Sequence, residues 1–148
     1  PSPLGMQNGW IDDSSVTATT FLSFEHDPGR ARLNSTGAWM PRTQDSSEIL
    51  QVHFHSQTNV SGVAIQGHPT QDYWVTRYRV DFSKDGVTWE TVSRGSHIHR
   101  CADIVLTGST DRSTPVKSQF TAVRPVRYLR VKPTAWNNGI AIRLEIYG

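Results

Sequence analysis

Residues 76–92 read TRYRVDFSKDGVTWETV, and this stretch decides the fold class. Tyr78, Val80 and Phe82 alternate with charged residues, which is the period-two pattern of a half-buried β-strand. The following Lys-Asp-Gly at 84–86 provides a turn in which glycine can take a positive φ. Alternation resumes at 87–92, so the whole stretch is predicted to form a β-hairpin.

The same alternation recurs along the chain. Further strands are predicted at 16–20, 50–55, 60–66, 103–107, 118–122, 127–132 and 140–147. In the last of these, the even-numbered isoleucines and leucine are predicted to point inward, and Ala141, Arg143, Glu145 and Tyr147 outward. No window of a dozen residues keeps helical spacing, so no substantial helix is expected. The pattern predicts an all-β fold, an antiparallel sandwich or jelly-roll barrel of about eight strands.

Length and charge exclude several classes of protein. The chain has 148 residues, 36% hydrophobic and 19% charged, which suits one domain over residues 1–148. No apolar run approaches the roughly 20 residues of a membrane-spanning helix, and the N-terminus lacks a signal-peptide pattern. Fifteen Lys and Arg against 13 Asp and Glu leave a scattered net charge of +2, so nucleic acid is not expected as a partner. Twelve of the fifteen cations are Arg, which favours an extracellular recognition surface.

Cysteine usage and sequons bear on the cellular compartment. Cys101 is the only cysteine, so this segment has no internal disulfide and no CxxC pair. Asn34-Ser35-Thr36 and Asn59-Val60-Ser61 both fit the N-glycosylation sequon, which makes Asn34 and Asn59 candidate acceptors. The sequons weigh toward a secreted protein or an ectodomain.

Four stretches, read together and in chain order, resemble the discoidin, or coagulation factor V/VIII type C, domain family. They are PLGM (3–6) with VTAT (16–19), GRARLN (29–34) with AW (38–39), QG (66–67) with WVTRY (74–78), and RYLRVKPTAW (127–136) with IAIRLEIYG (140–148). Residues 106–116 also resemble the turn that follows the hairpin in the family. The resemblance spans the whole chain.

The resemblance implies a distorted jelly-roll β-barrel of about eight main strands, with loops projecting from one end as spikes that form the ligand site. Such domains are non-catalytic recognition modules, and members bind phosphatidylserine membranes, galactose- or fucose-type glycans, collagen or peptide C-termini. Because the ligands differ so much, the fold alone does not name one. Many members join their two ends by a disulfide. This sequence has no cysteine at either end, which departs from that pattern.

The first spike is predicted at residues 21–29 and has an acidic tip. Membrane-binding relatives expose apolar side chains here, but the carboxylates of Glu25 and Asp27 would be repelled by an anionic surface. The apolar residues are therefore predicted to anchor the loop to the barrel, and membrane insertion requires them to be exposed instead; they are Phe21, Leu22 and Phe24. The candidate ligand residues of this loop are Phe24, Glu25, His26 and Asp27.

The second spike, residues 68–74, has the composition of a sugar site. A pyranose offers an apolar C–H face to an aromatic ring and hydroxyls to polar side chains. The candidate ligand residues are His68, Asp72, Tyr73 and Trp74. Trp74 is equally compatible with a core position in the following strand, so Asp72 and Tyr73 are preferred.

A third loop, near residues 94–103, is longer than in most relatives, and extra length near a binding end is often functional. Arg94 and Arg100 are its candidate donors to a carboxylate or sulfate. His97 and His99 have a spacing that could contribute to a metal site with His26 or His68, but solvated loop histidines are the preferred interpretation. No metal site or cofactor is predicted, and a structural calcium is left open.

More specific signatures are missing. The fucose-lectin pattern of His, Arg and Asp spacing is absent, and so are G-x-S-x-G, H-E-x-x-H, P-loop and G-x-G-x-x-G motifs, so no enzyme is expected. A neuropilin-type pocket for a C-terminal arginine keeps only Tyr73. His26 stands where that pocket has Trp, Met40 where it has Thr, and Asp45 is one position away from its Asp.

The sequence thus predicts a non-catalytic extracellular adhesion module that binds a cell-surface glycan or glycoprotein through the spikes. Tyr73 or Trp74 would stack on the sugar, Asp72 with Glu25 or Asp27 would accept from its hydroxyls, and Arg94 or Arg100 would donate. The alternative is an anionic phospholipid membrane, with Phe24, Leu22 and Trp74 inserted and Arg30, Arg32 and Arg77 on headgroups. A protein ligand such as collagen or a receptor is a third possibility. Because single sugars bind weakly, an oligomer or neighbouring domains would help.

Overall fold

Strands dominate the computed structural model, which describes residues 2–91 and 105–148. The strands are β1 (Val16–Ala18), β2 (Leu50–Gln66), β3 (Trp74–Ser83), β4 (Glu90–Thr91), β5 (Leu106–Thr107), β6 (Val116–Asn137) and β7 (Arg143–Tyr147). The helical segments of this part of the chain are three-residue 3-10 turns at Asp13–Ser15, Phe24–His26 and Pro28–Arg30. None of them can span a membrane. The all-β prediction is confirmed.

The strands form one antiparallel sheet in the order β1-β2-β6-β3-β4, with β5 also paired to β3 and β7 to β2. The predicted strands 50–55 and 60–66 are a single strand, β2, and 118–122 and 127–132 both belong to β6. The β2–β6 register shifts between His53 and Thr58 and again between Val60 and Gly62. Such bulges bend a strand without ending it, which lets two long strands follow a curved barrel.

The predicted hairpin joins β3 to β4 and is confirmed. Asp81 pairs with Thr91, and Phe82 pairs with Glu90. In the turn, the Ser83 hydroxyl accepts from the Gly86 backbone N–H at 2.7 Å, and Gly86 has φ +81°. Asp85 Oδ1 accepts from the Val87 and Thr88 backbone N–H groups, so the turn residues close the hairpin themselves.

Inward-facing residues of the long strands form the core, and Trp39 is buried among them. Its indole N–H donates to the Thr20 carbonyl at 2.9 Å, as a buried indole requires. The fully buried core includes Leu50, Val52, Val63, Ile65, Val80, Leu129, Val131, Ile142, Leu144 and Ile146.

The predicted strand 140–147, which contains β7, departs from its predicted alternation, because residues 140–146 are buried on both faces. Ala141, Arg143 and Glu145 were expected to point to solvent, and that expectation is wrong: they are 0%, 5% and 1% exposed. The N-terminal segment covers Glu145, whose carboxylate accepts from the Met6 and Gln7 backbone N–H groups. Arg143 donates to three backbone carbonyls of other loops. Both charges are therefore satisfied inside the fold.

Candidate functional site

The loop that precedes β3, residues 68–73, is organised around the imidazole of His68. This side chain is buried, and its Nδ1 accepts from the backbone N–H of Thr70 at 3.1 Å and of Gln71 at 3.0 Å. The backbone N–H of His68 donates to the backbone carbonyl of Tyr73 at 2.9 Å, and this hydrogen bond closes the loop. One side chain thus holds the backbone that carries Asp72 and Tyr73.

His68 is held neutral by these contacts. Because Nδ1 accepts two hydrogen bonds, the ring proton must sit on Nε2. Burial lowers the pKa of His68, and the nearby His26, Arg143 and Arg112 lower this pKa further. The loop geometry therefore depends on a histidine that resists protonation.

Lowering the pH should accordingly destabilise the domain. An unfolded histidine takes up a proton near its ordinary pKa of 6.5, whereas folded His68, with its lowered pKa, does not. The His68 contribution to the free energy of unfolding is full above pH 6.5 and falls as the pH drops from there toward the folded-state pKa. Urea midpoints at about pH 7.5 and about pH 5.5 measure the loss.

The matched control is His68→Asn, whose side-chain oxygen can accept near the position of Nδ1 but does not titrate. Its urea midpoint should change less than that of the wild type between the two pH values. An equal change in both proteins would contradict the assignment of the loss to His68.

Aromatic rings join the first spike to this loop. The His26 ring centroid lies 5.8 Å from that of His68, and Tyr73 meets His68 edge-on at 6.2 Å. Tyr73 also packs on a small buried cluster of Ala38, Met40 and Ala141. A Cβ at Gly139 would come within 3.1 Å of the Tyr73 ring, so glycine lets the turn at 137–139 lie against it. The Tyr73 ring is thus fixed in place.

Asp72 is the polar centre of the site. Its Oδ1 lies 3.0 Å from Arg112 Nη1, and its backbone carbonyl accepts from the side-chain amides of Asn137 and Asn138. An open, mainly polar cleft of about 570 Å³ is lined by Thr70, Gln71, Asp72, Tyr73, Arg112 and Asn138. We call it the polar cleft.

The structure brings together part of the predicted site. His68, Asp72 and Tyr73 form or support the polar cleft, while Trp74 is half-buried at the start of β3 and does not line it. His26 contacts His68, whereas Glu25 is exposed and Asp27 lies 3.9 Å from Arg30. Arg94 and Arg100 lie outside the described residues. Sequence reasoning missed Arg112 and Asn138, which lie far from Asp72 along the chain.

The apolar residues of the first spike were predicted to anchor it, and that prediction is wrong. Phe24 is 82% exposed, Leu22 50% and Phe21 38%. The loop is held instead by its backbone: the Leu22 N–H donates to the Met40 carbonyl, and the Met40 N–H donates to the His26 carbonyl. With the backbone fixed in this way, the apolar side chains are left at the surface.

Arg32, a predicted headgroup contact, has a structural role. Its guanidinium donates to the carbonyls of Gly29 and Met6 and to the Asp13 carboxylate at 2.7 Å. Only 15% of its side chain is exposed. Each of its three nitrogens is therefore hydrogen-bonded within the fold, and its charge is paired with Asp13.

The two glycosylation candidates have different surroundings. Asn34 is exposed at φ +61°, with its backbone N–H and side-chain oxygen bonded to Gln66. Asn59 is exposed within β2, where it pairs with Pro125. Both side chains are accessible at the surface.

Glu48 connects two segments that lie next to the first spike in the fold. This buried carboxylate accepts from the hydroxyls of Thr19, Thr20 and Thr43 at 2.6–2.7 Å. Burial raises the pKa of Glu48, but the hydroxyl hydrogen bonds outweigh it and leave this pKa lowered. Residues 41–48 are thereby tied to the segment that leaves β1.

Replacing Glu48 with alanine should lower the free energy of unfolding by about 2 kcal/mol, because the hydroxyls of three threonines lose their shared charged acceptor. Urea denaturation measures the change. The matched control is Glu25→Ala, since Glu25 is exposed and a change within about 0.5 kcal/mol is expected there. Equal stability of the two variants would contradict the bracing role.

Groups that could hold a metal ion are missing from residues 2–91 and 105–148: no three His, Cys, Asp or Glu side chains come together there. What the loop end offers is a fixed aromatic ring beside a carboxylate, a guanidinium and amides. The structure is thus a domain of antiparallel strands with an open polar cleft at the end where the loop at 68–73 lies.

The family follows from sequence comparison. The model of the F5/8 type C domain family matches residues 15–146, and the chain belongs to this family, which confirms the resemblance. It is 37% identical over 154 aligned residues to coagulation factor VIII of Sus scrofa. The match covers 99% of this chain but 7% of that protein, so the chain corresponds to a small part of this relative.

Solved structures share the fold. Discoidin II from Dictyostelium discoideum superimposes with a TM-score of 0.81 at 20% identity, covering 89% of this chain and 53% of that one. CpGH89CBM32-5 from Clostridium perfringens, solved in complex with GalNAc-β-1,3-galactose, has a TM-score of 0.72 at 12% identity and covers 99% of this chain and 100% of that one. These likenesses confirm the predicted jelly-roll architecture.

Proposed function

We propose that this chain is a non-catalytic extracellular recognition domain that binds a cell-surface glycan in the polar cleft. The observation that carries the proposal is the grouping of Tyr73, Asp72, Arg112 and Asn138 around one open cleft. Tyr73 is half-buried and fixed against Gly139 and the Ala38 cluster, so it offers a ring at little cost in conformational entropy.

The chemistry of the cleft suits a neutral sugar. Asp72 uses Oδ1 for Arg112, while its Oδ2 has no hydrogen bond within residues 2–91 and 105–148 and is free to accept from a sugar hydroxyl. Arg112 uses one N–H donor on Asp72 and keeps others for sugar oxygens. Since this guanidinium is already neutralised by Asp72, a sugar carboxylate gains little from it. The Clostridium perfringens domain, which has the same fold and was solved with a disaccharide, supports a sugar as the ligand class.

A glycan array followed by competition with free sugar tests the proposal. We expect glycan binding that is nearly independent of salt and is inhibited by free sugar at about 1 mM, the usual range for single sugars. Asp72→Ala and Tyr73→Ala should each weaken binding at least about tenfold, or about 1.4 kcal/mol. The matched control is Glu90→Ala, an exposed carboxylate at the far end of the hairpin. Absence of glycan binding, or equal loss in the control, would overturn the proposal.

Anionic phospholipid binding is a second candidate, favoured by the exposed Phe24 and Leu22 at the tip of the first spike. Insertion of Phe24 would contribute about 1.5–3 kcal/mol. Two residues argue against it: Glu25 lies at the same tip, and Arg32 is mostly buried and already paired with Asp13. Trp74, half-buried in β3, is also poorly placed for insertion.

Capture by phosphatidylserine vesicles, compared with phosphatidylcholine vesicles, decides this candidate. Phe24→Ala should lower capture at least about tenfold if Phe24 inserts, and rising salt should weaken capture further. The matched control is Val87→Ala, since Val87 is equally exposed but lies in the hairpin turn. Capture that is insensitive to both Phe24→Ala and salt would exclude this mode.

A further inference from the structure

β6 has an unusual distribution of charge. Its 22 residues include five cations and no acidic residue: Lys117, Arg124, Arg127, Arg130 and Lys132. Arg130 and Lys132 alternate with the buried Leu129 and Val131, so both point to the solvent side of the sheet. The neighbouring strand β3 adds Arg77 and Arg79 on that side.

Strand register places these cations close together. Arg79 pairs with Lys132, and Asp81 pairs with Arg130. Paired strands lie about 5 Å apart, and alternate residues of one strand about 7 Å apart. Arg77, Arg79, Arg130 and Lys132 therefore form one patch on a rigid sheet. Arg127, which is exposed and donates to the His55 carbonyl, extends it, and we call these five residues the cationic face.

One carboxylate serves this patch in the strands of the described structure. Asp81 is buried and accepts from Lys132 at 3.1 Å and from the Thr91 hydroxyl at 2.9 Å. Glu90 pairs with the inward-facing Phe82 and so belongs to the other side of the sheet. Arg77 and Arg127 are exposed, so the cationic face presents positive charge to solvent, although the whole chain has a net charge of only +2.

The aromatic rings beside the cationic face already pack against neighbouring side chains. His53 stacks on Tyr128 with centroids 4.4 Å apart, and the Arg130 guanidinium lies 3.8 Å from the centroid of Trp89. Nucleic-acid bases would need free ring faces on which to stack. A bilayer would need apolar side chains to insert, and the exposed large apolar residues of the described structure lie elsewhere, in loops and at Val123. Both partners fit this face poorly.

We propose that the cationic face binds a linear sulfated polysaccharide, at a site separate from the polar cleft. Arginine presents a planar fork of N–H donors that matches a sulfate group, and four of the five cations are arginines. A flat, rigid array of cations complements a chain with repeated anionic groups, and the binding costs little rearrangement of the protein. The same chain would thus recognise a neutral sugar at its loop end and a polyanionic one on its sheet.

Heparin binding at several salt concentrations tests this inference. The double variant Arg77→Ala/Arg127→Ala removes two exposed cations and should weaken heparin binding at least about tenfold at 0.15 M salt. It should also reduce the slope of log affinity against log salt by about 1 for each lost contact. The control variant Arg30→Ala/Arg42→Ala removes two exposed arginines outside the cationic face, so it makes the same change in net charge. It should bind heparin like the wild type.

Three results would overturn the inference: no binding of heparin, equal loss in the two double variants, or single-stranded DNA or phosphatidylserine vesicles bound as tightly as heparin. Asp72→Ala should leave heparin binding unchanged, and Arg77→Ala/Arg127→Ala should leave neutral-glycan binding unchanged. Failure at one site is therefore distinguishable from failure at the other.

Discussion

Replacing Arg143 with methionine should lower the free energy of unfolding by about 3 kcal/mol. Methionine preserves the unbranched stem of Arg143 but lacks the donors to three backbone carbonyls: Gly67 at 2.7 Å, Ser35 at 2.8 Å and Arg112 at 3.0 Å. These carbonyls belong to three separate loops, and a carbonyl left buried without a donor costs about 1 kcal/mol or more. Urea denaturation measures the loss.

The same substitution should weaken ligand binding at temperatures where the variant is still folded, because Gly67 and Arg112 flank the polar cleft. Arg143→Lys should not rescue stability, since a single ammonium cannot reproduce the three-way fork of the guanidinium. The matched control is Arg30→Met at an exposed position, with an expected change within about 0.5 kcal/mol. If the unfolding midpoints of Arg143→Met and the wild type coincided, Arg143 would not stabilise these loops.

Glu145→Ala should be as damaging, with a loss of about 3–4 kcal/mol. This carboxylate is 1% exposed, and its Oε2 accepts from the backbone N–H groups of Met6 and Ile146 at 2.9 Å. Its Oε1 accepts from the Gln7 N–H at 3.1 Å. Hydrogen bonds to a charged group contribute about 1.5–3 kcal/mol each, and alanine removes all three. Because alanine also removes the cost of burying the charge, the expected loss is smaller than their sum. Differential scanning calorimetry measures the drop.

Glu145→Gln separates the charge from the shape. The amide matches the carboxylate in size, but its NH₂ must face at least one of the three N–H donors, so we expect a loss of about 1–2 kcal/mol. Amide hydrogen exchange at Met6 and Gln7 should accelerate in both variants as the N-terminal segment loosens. Unchanged protection of these amides would show that Glu145 does not hold that segment.

Part of the candidate site was predictable because its residues are close in sequence. His68, Asp72 and Tyr73 lie within six residues, and their chemical types together indicate a sugar site. Arg112 and Asn138 were not predictable, because 40 and 66 residues separate them from Asp72. Nothing in the local pattern of either segment indicates that it reaches the cleft. The three segments come together only in the folded sheet, where β3 pairs with β6.

The sequence by itself determined the strands, the hairpin and the family, because alternation of apolar residues and turn chemistry are local properties. Tertiary structure alone decided which outward positions are covered. Arg143 and Glu145 alternate like solvent-facing residues yet are buried, while Phe24 is apolar yet 82% exposed. The physical reason is that a side chain's burial depends on segments distant in sequence. The N-terminal segment and the loops near Gly67 cover β7, and nothing in the described structure covers the tip of the first spike.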